Sequence, residues 1–438
     1  MSRRVDPAPF EVEVLDLAHD GRGVARIEGK IVFIADALPG ERVRARRVGR
    51  RRRHDEAELL DVLEASPDRQ APPCPHFGTC GGCSLQHMEA AAQLAAKERT
   101  LHENLERIGR VLPAARWAPI EGPTWGYRRK ARLGVRKVDK KGRVLVGFRE
   151  RRAPYLADMQ SCGVLAGNIS SLLGELGTMI GELSIARRVP QVELAVGDDR
   201  SALVFRVLDP PTPGDLLEID RFCKAHGFDP WLQAGGPDTL VPLREDTRPP
   251  IYRIAAFDLD LEFLPTDFVQ VNAEVNARAV QRAVELLALA PGQRVVDLFC
   301  GLGNFSLAFA RQGAFVRGIE GDAALVARAR GNAARNGLEA SFHVANLFED
   351  CRELPWAREP CEALMLDPPR AGAETSIHLV PQLGPRRVVY VSCHPATLAR
   401  DAGILVHEYG YRLQGAGVMD MFPHTAHVES IALFERGG

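Results

Sequence analysis

Five short apolar runs in the C-terminal part of the 438-residue chain constrain its fold more than any other feature. From Thr266 onward they read RVVDLF, FVRGIE, ASFHVA, EALMLD and RRVVYVSC, and most are separated by helical segments. This alternation predicts a mostly parallel, doubly wound α/β sheet. The two last runs, YRLQGAGVMD and HVESIALFE, predict an antiparallel pair at one edge. Ligands of such sheets lie outside the carboxyl ends of the strands, so residues at those ends are the first functional candidates.

A glycine-rich turn follows the first of these runs. The segment DLFCGLGNF, residues 297–305, is typical of a strand, a tight turn and a helix start, and its glycines let the backbone approach a ligand closely. Glu320 ends the next run, at about the 20-residue distance where an acid binds a ribose. The third glycine of the dinucleotide fingerprint is absent, and Asn304 follows Gly303 instead. This departure favours S-adenosylmethionine, which has no pyrophosphate, over a structural turn in an enzyme that uses another nucleotide.

Two further strand ends carry reactive side chains. LMLDPPR places Asp367 and Arg370 around two prolines, which hold the loop rigid because proline cannot continue a helix or a ladder. VVYVSCHPATLARD places Cys393 at the next strand end, before a helix that Pro395 can begin. A thiol there lies near the positive end of the helix dipole, which favours the thiolate, so we expect Cys393 to be a nucleophile. A buried apolar cysteine is the alternative.

The N-terminal part combines a predicted barrel with strongly basic stretches. Residues from Phe10 to about Ala65 alternate in strand fashion between closely spaced turns, which predicts a small OB-like β-barrel, and the segment resembles a TRAM domain, a barrel found on RNA-modifying enzymes. Eight of the twelve residues in Arg42–Arg53 are arginine, and Arg128–Arg152 holds twelve Lys/Arg against two acids. The net charge of −1 alone argues against a nucleic-acid partner, but this asymmetry indicates a polyanion-binding side. A solvated face is the alternative.

The predicted architecture is multidomain, with three parts. A TRAM-like barrel occupies residues 1–66, a small cysteine-bearing α+β region occupies residues 67–264, and a Rossmann-like α/β domain with the expected S-adenosylmethionine site occupies residues 265–438. Apolar residues recur with helical spacing over Gln86–Ile108 and predict an amphipathic helix that packs on the C-terminal domain. Its apolar positions are Leu94, Leu101, Leu105 and Ile108.

The nine cysteines indicate metal or catalytic chemistry rather than disulfides. No apolar stretch reaches the roughly 18 residues that span a bilayer, and the arginine-bearing start lacks an apolar signal core, so we expect a cytosolic, reducing environment. Cys74-x5-Cys80-x2-Cys83 lies on a loop rich in Pro and Gly, and Cys162 lies in a polar stretch further on. Four thiolates suit a tetrahedral zinc or an iron–sulfur cluster, and spacing alone leaves both open. Three other cysteines are predicted to be core residues, Cys223, Cys351 and Cys361.

The strand-end motifs resemble those of one enzyme family. DLFCGLGNF, DPPRAG, SCHPATLARD and DMFPHTAHVES closely match the RNA uracil-C5 methyltransferases, the TrmA/RumA family, and the resemblance covers nearly the whole chain. The barrel and the cysteine loop point to the branch that modifies 23S ribosomal RNA, because the tRNA-modifying branch generally lacks both. The resemblance implies methyl transfer from S-adenosylmethionine to C5 of a specific uridine. It implies ribosomal RNA as the partner, with no membrane and no obligate protein partner.

The resemblance also implies roles for individual residues. Cys393 is the expected nucleophile that adds to C6 of the uracil, and Glu429, in HVES, is the expected base that removes the C5 proton. Six residues are expected to contact the cofactor, namely Gln270, Phe299, Asn304, Glu320, Asn346 and Asp367. Family members hold a 4Fe-4S cluster with the set that corresponds to Cys74, Cys80, Cys83 and Cys162. As alternatives, Glu429 would be a surface acid and Asn346 a strand-end cap.

Two other functions compete with this interpretation. An adenine amino-methyltransferase usually follows its D/N-P-P motif with an aromatic residue that stacks on the flipped base, and Arg370 stands there instead. A non-catalytic RNA-binding protein with a relict methyltransferase fold is disfavoured by the intact set of glycine turn, Cys393 and Glu429. A uracil-C5 methyltransferase of tRNA or of another ribosomal RNA position also remains an alternative.

Overall fold

The chain divides into two compact units in the computed structural model, which describes residues 8–437. The first unit comprises residues up to Thr100 together with Phe148–Ala157 and Phe422–His427. The second comprises Leu101–Gly147, Asp158–Met421 and the residues from Val428 onward. The predicted limits at residues 66 and 264 therefore do not coincide with the division of the structure, and the predicted central region contributes to both units.

A six-stranded sheet in the first unit corresponds to the predicted barrel. Its strand order is β1-β5-β6-β4-β3-β2. The strands are β1 Pro9–Glu13, β2 Asp16–Leu17, β3 Gly23–Ile27, β4 Lys30–Ala35, β5 Arg42–Arg50 and β6 His54–Glu64. Small and β-branched side chains of these strands and of the segment between β1 and β2 point inward and form one core, which includes Val14, Val32, Ile34, Val43 and Ala57. The period-2 alternation read from the sequence is thus the burial pattern of the sheet.

The predicted helix over Gln86–Ile108 is shorter than expected, and its predicted apolar face is buried in part: Leu101 and Leu105 are buried and Leu94 is half-buried. Helix α1 covers Ala90–Asn104, and a π-helical turn follows at Leu105–Gly109. Ile108 is 49% exposed, because the wider π turn rotates it away from the row that Leu101 and Leu105 bury.

Polar side chains complete the buried face of α1 in the first unit. Gln93 donates hydrogen bonds to the carbonyls of Leu85 and Met88 and accepts one from the backbone N–H of His424. Lys97 donates to the carbonyl of Phe422 at 3.0 Å. Apolar periodicity could not show these buried polar positions.

The second unit contains a mixed sheet that the sequence left undefined. Its order is β13-β12-β11-β10-β8-β9. The strands are β8 Lys130–Val138, β9 Arg143–Gly147, β10 Gln191–Val196, β11 Ser201–Arg206, β12 Phe228–Gln233 and β13 Leu240–Pro242. Two helices accompany it, α2 Leu173–Glu182 and α3 Pro213–His226. A separate antiparallel pair follows, β14 Ile251–Ile254 and β15 Leu259–Glu262.

An eight-stranded sheet in the second unit confirms the predicted Rossmann-like α/β fold. Its order is β18-β17-β16-β19-β20-β22-β21-β7, and the pairs from β18 to β20 are parallel. The strands are β7 Ala115–Arg116, β16 Arg294–Leu298, β17 Phe315–Glu320, β18 Ser341–Val344, β19 Ala363–Leu366, β20 Arg387–Ser392, β21 Tyr411–Met419 and β22 Glu429–Arg436. The helices are α4 Ala273–Leu287, α5 Ser306–Arg311, α6 Ala323–Arg335, α7 Val380–Leu383 and α8 Pro395–His407. The predicted antiparallel pair is β21 and β22, with β22 inserted beside β20.

No helix within residues 8–437 is both long enough and apolar enough to cross a membrane.

Candidate active site

The turn after β16 has the strained backbone of a ligand-facing loop. Gly301 and Gly303 adopt φ of 55° and 100°, which glycine tolerates, and Phe299 adopts φ of 66°, which is uncommon for a bulky residue. Backbone strain of this kind concentrates at functional sites. The ring of Phe299 lies 5.8 Å from the ring of Phe348, which follows β18. The turn therefore presents open backbone beside two aromatic rings.

Three carboxylates converge at the ends of the adjacent strands β16, β17 and β19. Asp297 is fully buried, its Oδ2 accepts a hydrogen bond from Ser306 at 2.5 Å, and its Oδ1 has no hydrogen-bond partner among residues 8–437. Burial raises the pKa of Asp297 to about 7, and the nearby Glu320 adds to this. Burial also raises the pKa of Asp367 to about 8, with Asp297 and Glu320 contributing. The cluster is electrostatically unsatisfied and would gain from a cationic ligand.

Glu320 and Asn346 lie at the ends of β17 and β18 and bind nearby backbone or side-chain groups. The Oε2 of Glu320 accepts from the N–H of Gly301 at 3.1 Å, and its Oε1 accepts from Gly321 at 2.7 Å. Asn346 is exposed, and its side chain bonds the backbone of Phe348 and the carboxylate of Glu349. These contacts fit the alternative role of Asn346 as a strand-end cap. Because Asn346 is exposed, a ligand can still reach its side chain.

Asn304 is held by two residues that the sequence did not indicate. Its side chain exchanges hydrogen bonds with Asn276 of α4, at 2.9 and 3.0 Å, and its Oδ1 also accepts from the hydroxyl of Tyr252 at 3.0 Å. Burial raises the pKa of Tyr252, so its hydroxyl stays a donor. Gln270 lies half-buried just before Asn272, which caps α4. Tyr252 belongs to β14, outside the strand-end motifs, so spacing offered no signal for it.

Cys393 lies where the sequence places it, between β20 and α8, with Pro395 at the first helical turn. The expected preference for the thiolate is not found in the unliganded protein. Burial raises the pKa of Cys393 to about 11, and the carboxylates of Glu429 and Asp367 raise it further, while Arg370 opposes them. Desolvation and neighbouring acids outweigh the helix dipole here. The same interactions show that Glu429, Asp367 and Arg370 all lie near the thiol.

Sheet register explains how Glu429 reaches this position. Strand β22 pairs antiparallel with β20, and Ser392 lies opposite Ser430. Continuing that register by one residue brings Glu429 opposite Cys393. Glu429 is only 8% exposed, which excludes the alternative of a surface acid. Two residues 36 positions apart in the chain are thus neighbours at one strand end.

A buried hydrogen-bond network fixes the loop after β19 to helix α8. Asp401 accepts from the Tyr390 hydroxyl at 2.6 Å and from the backbone N–H of Ala373 at 2.7 Å. Arg400 donates to the carbonyl of Ala371 at 2.9 Å. Gly372 has φ of 79°, and a Cβ there would lie 2.6 Å from Arg400 Nη2, so only glycine fits. The network links the loop of Asp367 and Arg370 to the helix that follows Cys393.

The four predicted metal-binding cysteines are divided between the two units, with Cys74, Cys80 and Cys83 in the first and Cys162 in the second. Among residues 8–437, no group of three or more His, Cys, Asp or Glu is arranged to hold a metal ion. Cys80 is buried on its loop, where burial and the nearby Cys74 raise its pKa. Its Sγ accepts a hydrogen bond from the N–H of Gly82 at 3.4 Å. Cys162 is buried in the second unit. The other predicted core cysteines are buried as expected, Cys223, Cys351 and Cys361.

Both basic stretches are partly neutralised by acids. In Arg128–Arg152, several cations form ion pairs, among them Arg129 with Asp198, Arg132 with Glu193, Lys141 and Arg143 with Asp158, and Arg151 with Asp36. The arginines of β5 pair in a similar way with acids of β1 and β6. A count of basic residues in the sequence therefore overstates the positive charge available to a polyanion.

Comparisons with known proteins give the family and the fold of the chain. Residues 241–437 match the family described as tRNA (Uracil-5-)-methyltransferase, and residues 9–46 match the TRAM domain. The solved structure of Pyrococcus abyssi tRNA (uracil-54, C5)-methyltransferase in complex with S-adenosyl-L-homocysteine shares the fold, with a TM-score of 0.76 at 24% identity over 97% of this chain and 99% of that one.

The fold, the TRAM domain and the strand-end site define a TRAM-bearing methyltransferase, and the chain belongs to the RNA uracil-C5 methyltransferase family. Within that family it is 50% identical to the 23S rRNA (uracil(1939)-C(5))-methyltransferase RlmD of Stenotrophomonas maltophilia (strain K279a), over 99% of this chain and 98% of that protein. It is 51% identical to the RlmD of Azoarcus sp. (strain BH72), over 97% and 99%. The family resemblance and the fold class read from the sequence are confirmed.

Proposed function

We propose that this protein methylates C5 of a specific uridine in 23S ribosomal RNA, with S-adenosylmethionine as the methyl donor, to form 5-methyluridine. The observation that carries the proposal is that Cys393, Glu429 and Asp367 lie close together at neighbouring strand ends. The β20–β22 register supports this for Glu429, and the effect of both carboxylates on the pKa of the Cys393 thiol supports it for Glu429 and Asp367. This set provides a nucleophile and a base for covalent uracil chemistry. The similarity to RlmD proteins over nearly the whole chain supports 23S ribosomal RNA as the substrate. A cytoplasmic place of action is part of the proposal.

The carboxylate cluster supports a cationic cofactor at the turn after β16. When bound, S-adenosylmethionine supplies an electrophilic methyl group on a sulfonium. Asp297 and Asp367, with pKa values raised to about 7 and about 8, would return toward the ionised state beside such a charge. Glu320, at the end of β17, suits the ribose, and Phe299 with Phe348 suits the adenine. Gln270, Asn304 and Asn346 complete the proposed contacts.

The chemistry needs a nucleophile because C5 of uracil is unreactive in a neutral ring. The Cys393 sulfur bonds to C6, the ring becomes an enolate, and C5 then accepts the methyl group. Glu429 takes the C5 proton, the C6–sulfur bond breaks, and the electron pair returns to Cys393. Since the thiol pKa is about 11 before substrate binds, its proton has to leave as sulfur adds. Asp367, ionised beside a bound sulfonium, would accept that proton, so that Glu429 stays ionised for the C5 proton.

The four cysteines are proposed to hold a 4Fe-4S cluster. The donor set consists of thiolates, and the Gly82 N–H already points at Cys80 Sγ, as backbone donors do toward cluster sulfurs. Cys74, Cys83 and Cys162 would supply the other ligands. Zinc is the alternative that the same donor set allows.

Methyl incorporation tests the proposed activity. With labelled S-adenosylmethionine and total RNA, the label is expected in 5-methyluridine of 23S ribosomal RNA. Label in methylated adenosine would support an amino-methyltransferase instead. Label in 5-methyluridine of transfer RNA would make transfer RNA the substrate, and no label at all would support a non-catalytic RNA-binding protein.

A further inference from the structure

The outer face of β5 has no net positive charge, although it carries three exposed arginines. Their ion pairs are Arg42 with Glu11 and Glu64, at 2.8 and 3.4 Å, Arg44 with Asp61, and Arg46 with Glu58. Three cations thus face four carboxylates across the β1–β5–β6 ladder. Individual surface ion pairs are weak, but the local sum of charge decides whether a polyanion is attracted. This face therefore has no net positive charge with which to attract a phosphate backbone.

The turn that joins β5 and β6 differs from that face. Arg50, Arg51, Arg52 and Arg53 are all exposed, and we call this segment, Arg50–Arg53, the basic tip. No ion pair joins Arg50, Arg52 or Arg53 to a carboxylate of residues 8–437, and Arg51 lies 3.9 Å from its one partner, Glu56.

The acid next to the basic tip does not neutralise it. The Asp55 side chain is only 3% exposed, and it is bound by Lys30 at 2.5 Å and by Arg47 at 3.3 Å. Two cations already balance this one carboxylate. Apart from the long contact of Arg51 with Glu56, the positive charge of the basic tip is therefore presented to solvent.

The backbone of the basic tip is ordered by hydrogen bonds. The N–H of Arg51 donates to the carbonyl of His54 at 2.9 Å, and Lys30 Nζ donates to the carbonyl of Arg51 at 2.8 Å. Four adjacent like charges on a fixed turn repel one another, and the Arg51–Glu56 contact offsets only a small part of that cost. An anionic partner would compensate for it.

We propose that the basic tip is the element of the barrel that contacts RNA, through Arg50, Arg52 and Arg53 on backbone phosphates, and that the paired arginines of β5 do not contact it. The inference rests on the proposed function for the identity of the polyanion. Arginine suits phosphate because its planar guanidinium can donate two parallel hydrogen bonds.

Salt dependence of RNA binding tests the inference with two matched variants. R50Q/R52Q/R53Q removes three charges from the basic tip. R44Q/R46Q/E58Q/D61N removes two ion pairs from the β5 face and leaves the net charge unchanged. The probe is a single-stranded RNA oligonucleotide of arbitrary sequence, because phosphate contacts do not depend on sequence. The result is therefore independent of the target uridine and of methyl transfer, which the incorporation assay measures separately.

The tip variant is expected to bind more weakly and to lose about 2 from the slope of log affinity against log salt, since each phosphate contact on a single strand contributes about 0.7. The β5 variant is expected to keep the wild-type slope, and R50K/R52K/R53K is expected to restore it. Equal slopes for the wild type and the tip variant, or a lower slope for the β5 variant alone, would overturn the inference. Thermal melting and cofactor binding of each variant confirm that it is folded.

Discussion

The hydroxyl of Tyr390 and the carboxylate of Asp401 form a fully buried hydrogen bond of 2.6 Å beneath the candidate active site. Tyr390 lies on β20, three residues before Cys393, and Asp401 lies on the helix that follows it. Because Asp401 also binds Ala373, the pair holds the Asp367 loop at a fixed distance from the thiol. Positioning of this kind determines how often reacting groups meet in a productive geometry.

Asp401→Asn is expected to lower kcat more than it changes KM for the cofactor. Asparagine keeps one carbonyl oxygen that can still accept both hydrogen bonds at the position of Oδ2, but its NH2 group then replaces Oδ1, which accepts from Arg400 Nε at 2.8 Å. Arg400 loses that acceptor, so the loop shifts relative to Cys393 and the protein loses about 1–3 kcal/mol of unfolding free energy. Tyr390→Phe keeps the Ala373 bond and is expected to show a smaller effect in the same direction. Steady-state kinetics and denaturant unfolding measure both. Tyr409→Phe, at a half-buried tyrosine that is bonded to His378 and lies outside this network, serves as the control and should match the wild type.

Glu429→Gln is expected to transfer one methyl group and then stall. Glutamine preserves the shape of the side chain but cannot accept the C5 proton, so elimination of Cys393 is blocked. Turnover should fall by about 100- to 10,000-fold, with a covalent, already methylated RNA adduct visible by denaturing gel and mass spectrometry. Glu435→Gln, on the same strand and paired with Arg387, is the control. Slow turnover with no adduct would instead give Glu429 a role before methyl transfer.

Cofactor binding is expected to release protons near neutral pH. Asp297 and Asp367 have pKa values raised to about 7 and about 8, so the unliganded site is partly protonated at pH 7, and a bound sulfonium favours the ionised forms. Affinity for S-adenosylmethionine should therefore rise with pH and level off above pH 8. Calorimetry in buffers of different ionisation enthalpy counts the protons. The affinity for S-adenosylhomocysteine, which lacks the sulfonium, should change less with pH. If the two ligands show the same dependence of affinity on pH, the charge of the sulfonium does not act on Asp297 and Asp367.

The same two groups make the unliganded protein less stable at higher pH. Their pKa values are raised above the ordinary value of 3.8, so the folded state keeps protons that the unfolded chain has lost. The contribution of these groups to unfolding free energy should fall as pH rises from about 4 to about 8. Saturating cofactor should reduce that fall, and denaturant unfolding at several pH values measures it.

Protein purified without oxygen is expected to be brown and to contain iron and acid-labile sulfide. Cys80→Ser should lose the colour and the iron, because it removes a buried ligand, and should still bind the cofactor. Cys223→Ala, at a buried cysteine outside the proposed set, should keep both. Colourless protein with one zinc per chain would show that the four cysteines bind zinc and not an iron–sulfur cluster.

The catalytic strand ends were predictable because a parallel α/β sheet places them by chain order alone. Gln93 and Lys97 were not, since buried polar residues on α1 satisfy backbone groups of the Phe422–His427 segment, far away in sequence. The charge of β5 was also misjudged from composition. Its arginines lie opposite the acids of β6 through sheet register, and a linear count of arginines contains no information about register.

The thiolate expected at Cys393 shows another limit of sequence reasoning. Position before a helix could be read from Pro395, but the pKa depends on burial and on the acids that the sheet brings alongside. Helix α8 begins where expected, and the electrostatic surroundings come from β19 and β22.

Covalent trapping tests the central claim, that Cys393 attacks the uracil, most directly. RNA that carries 5-fluorouridine at the target position is incubated with the enzyme and S-adenosylmethionine, and the products are separated on a denaturing gel. Because fluorine cannot leave as a proton, elimination is blocked, and the account predicts a stable protein–RNA adduct that carries one added methyl group and joins the RNA to Cys393. Cys393→Ala should form none. An adduct that persists in Cys393→Ala, or wild-type protein that methylates uridine yet is never trapped, would contradict the account.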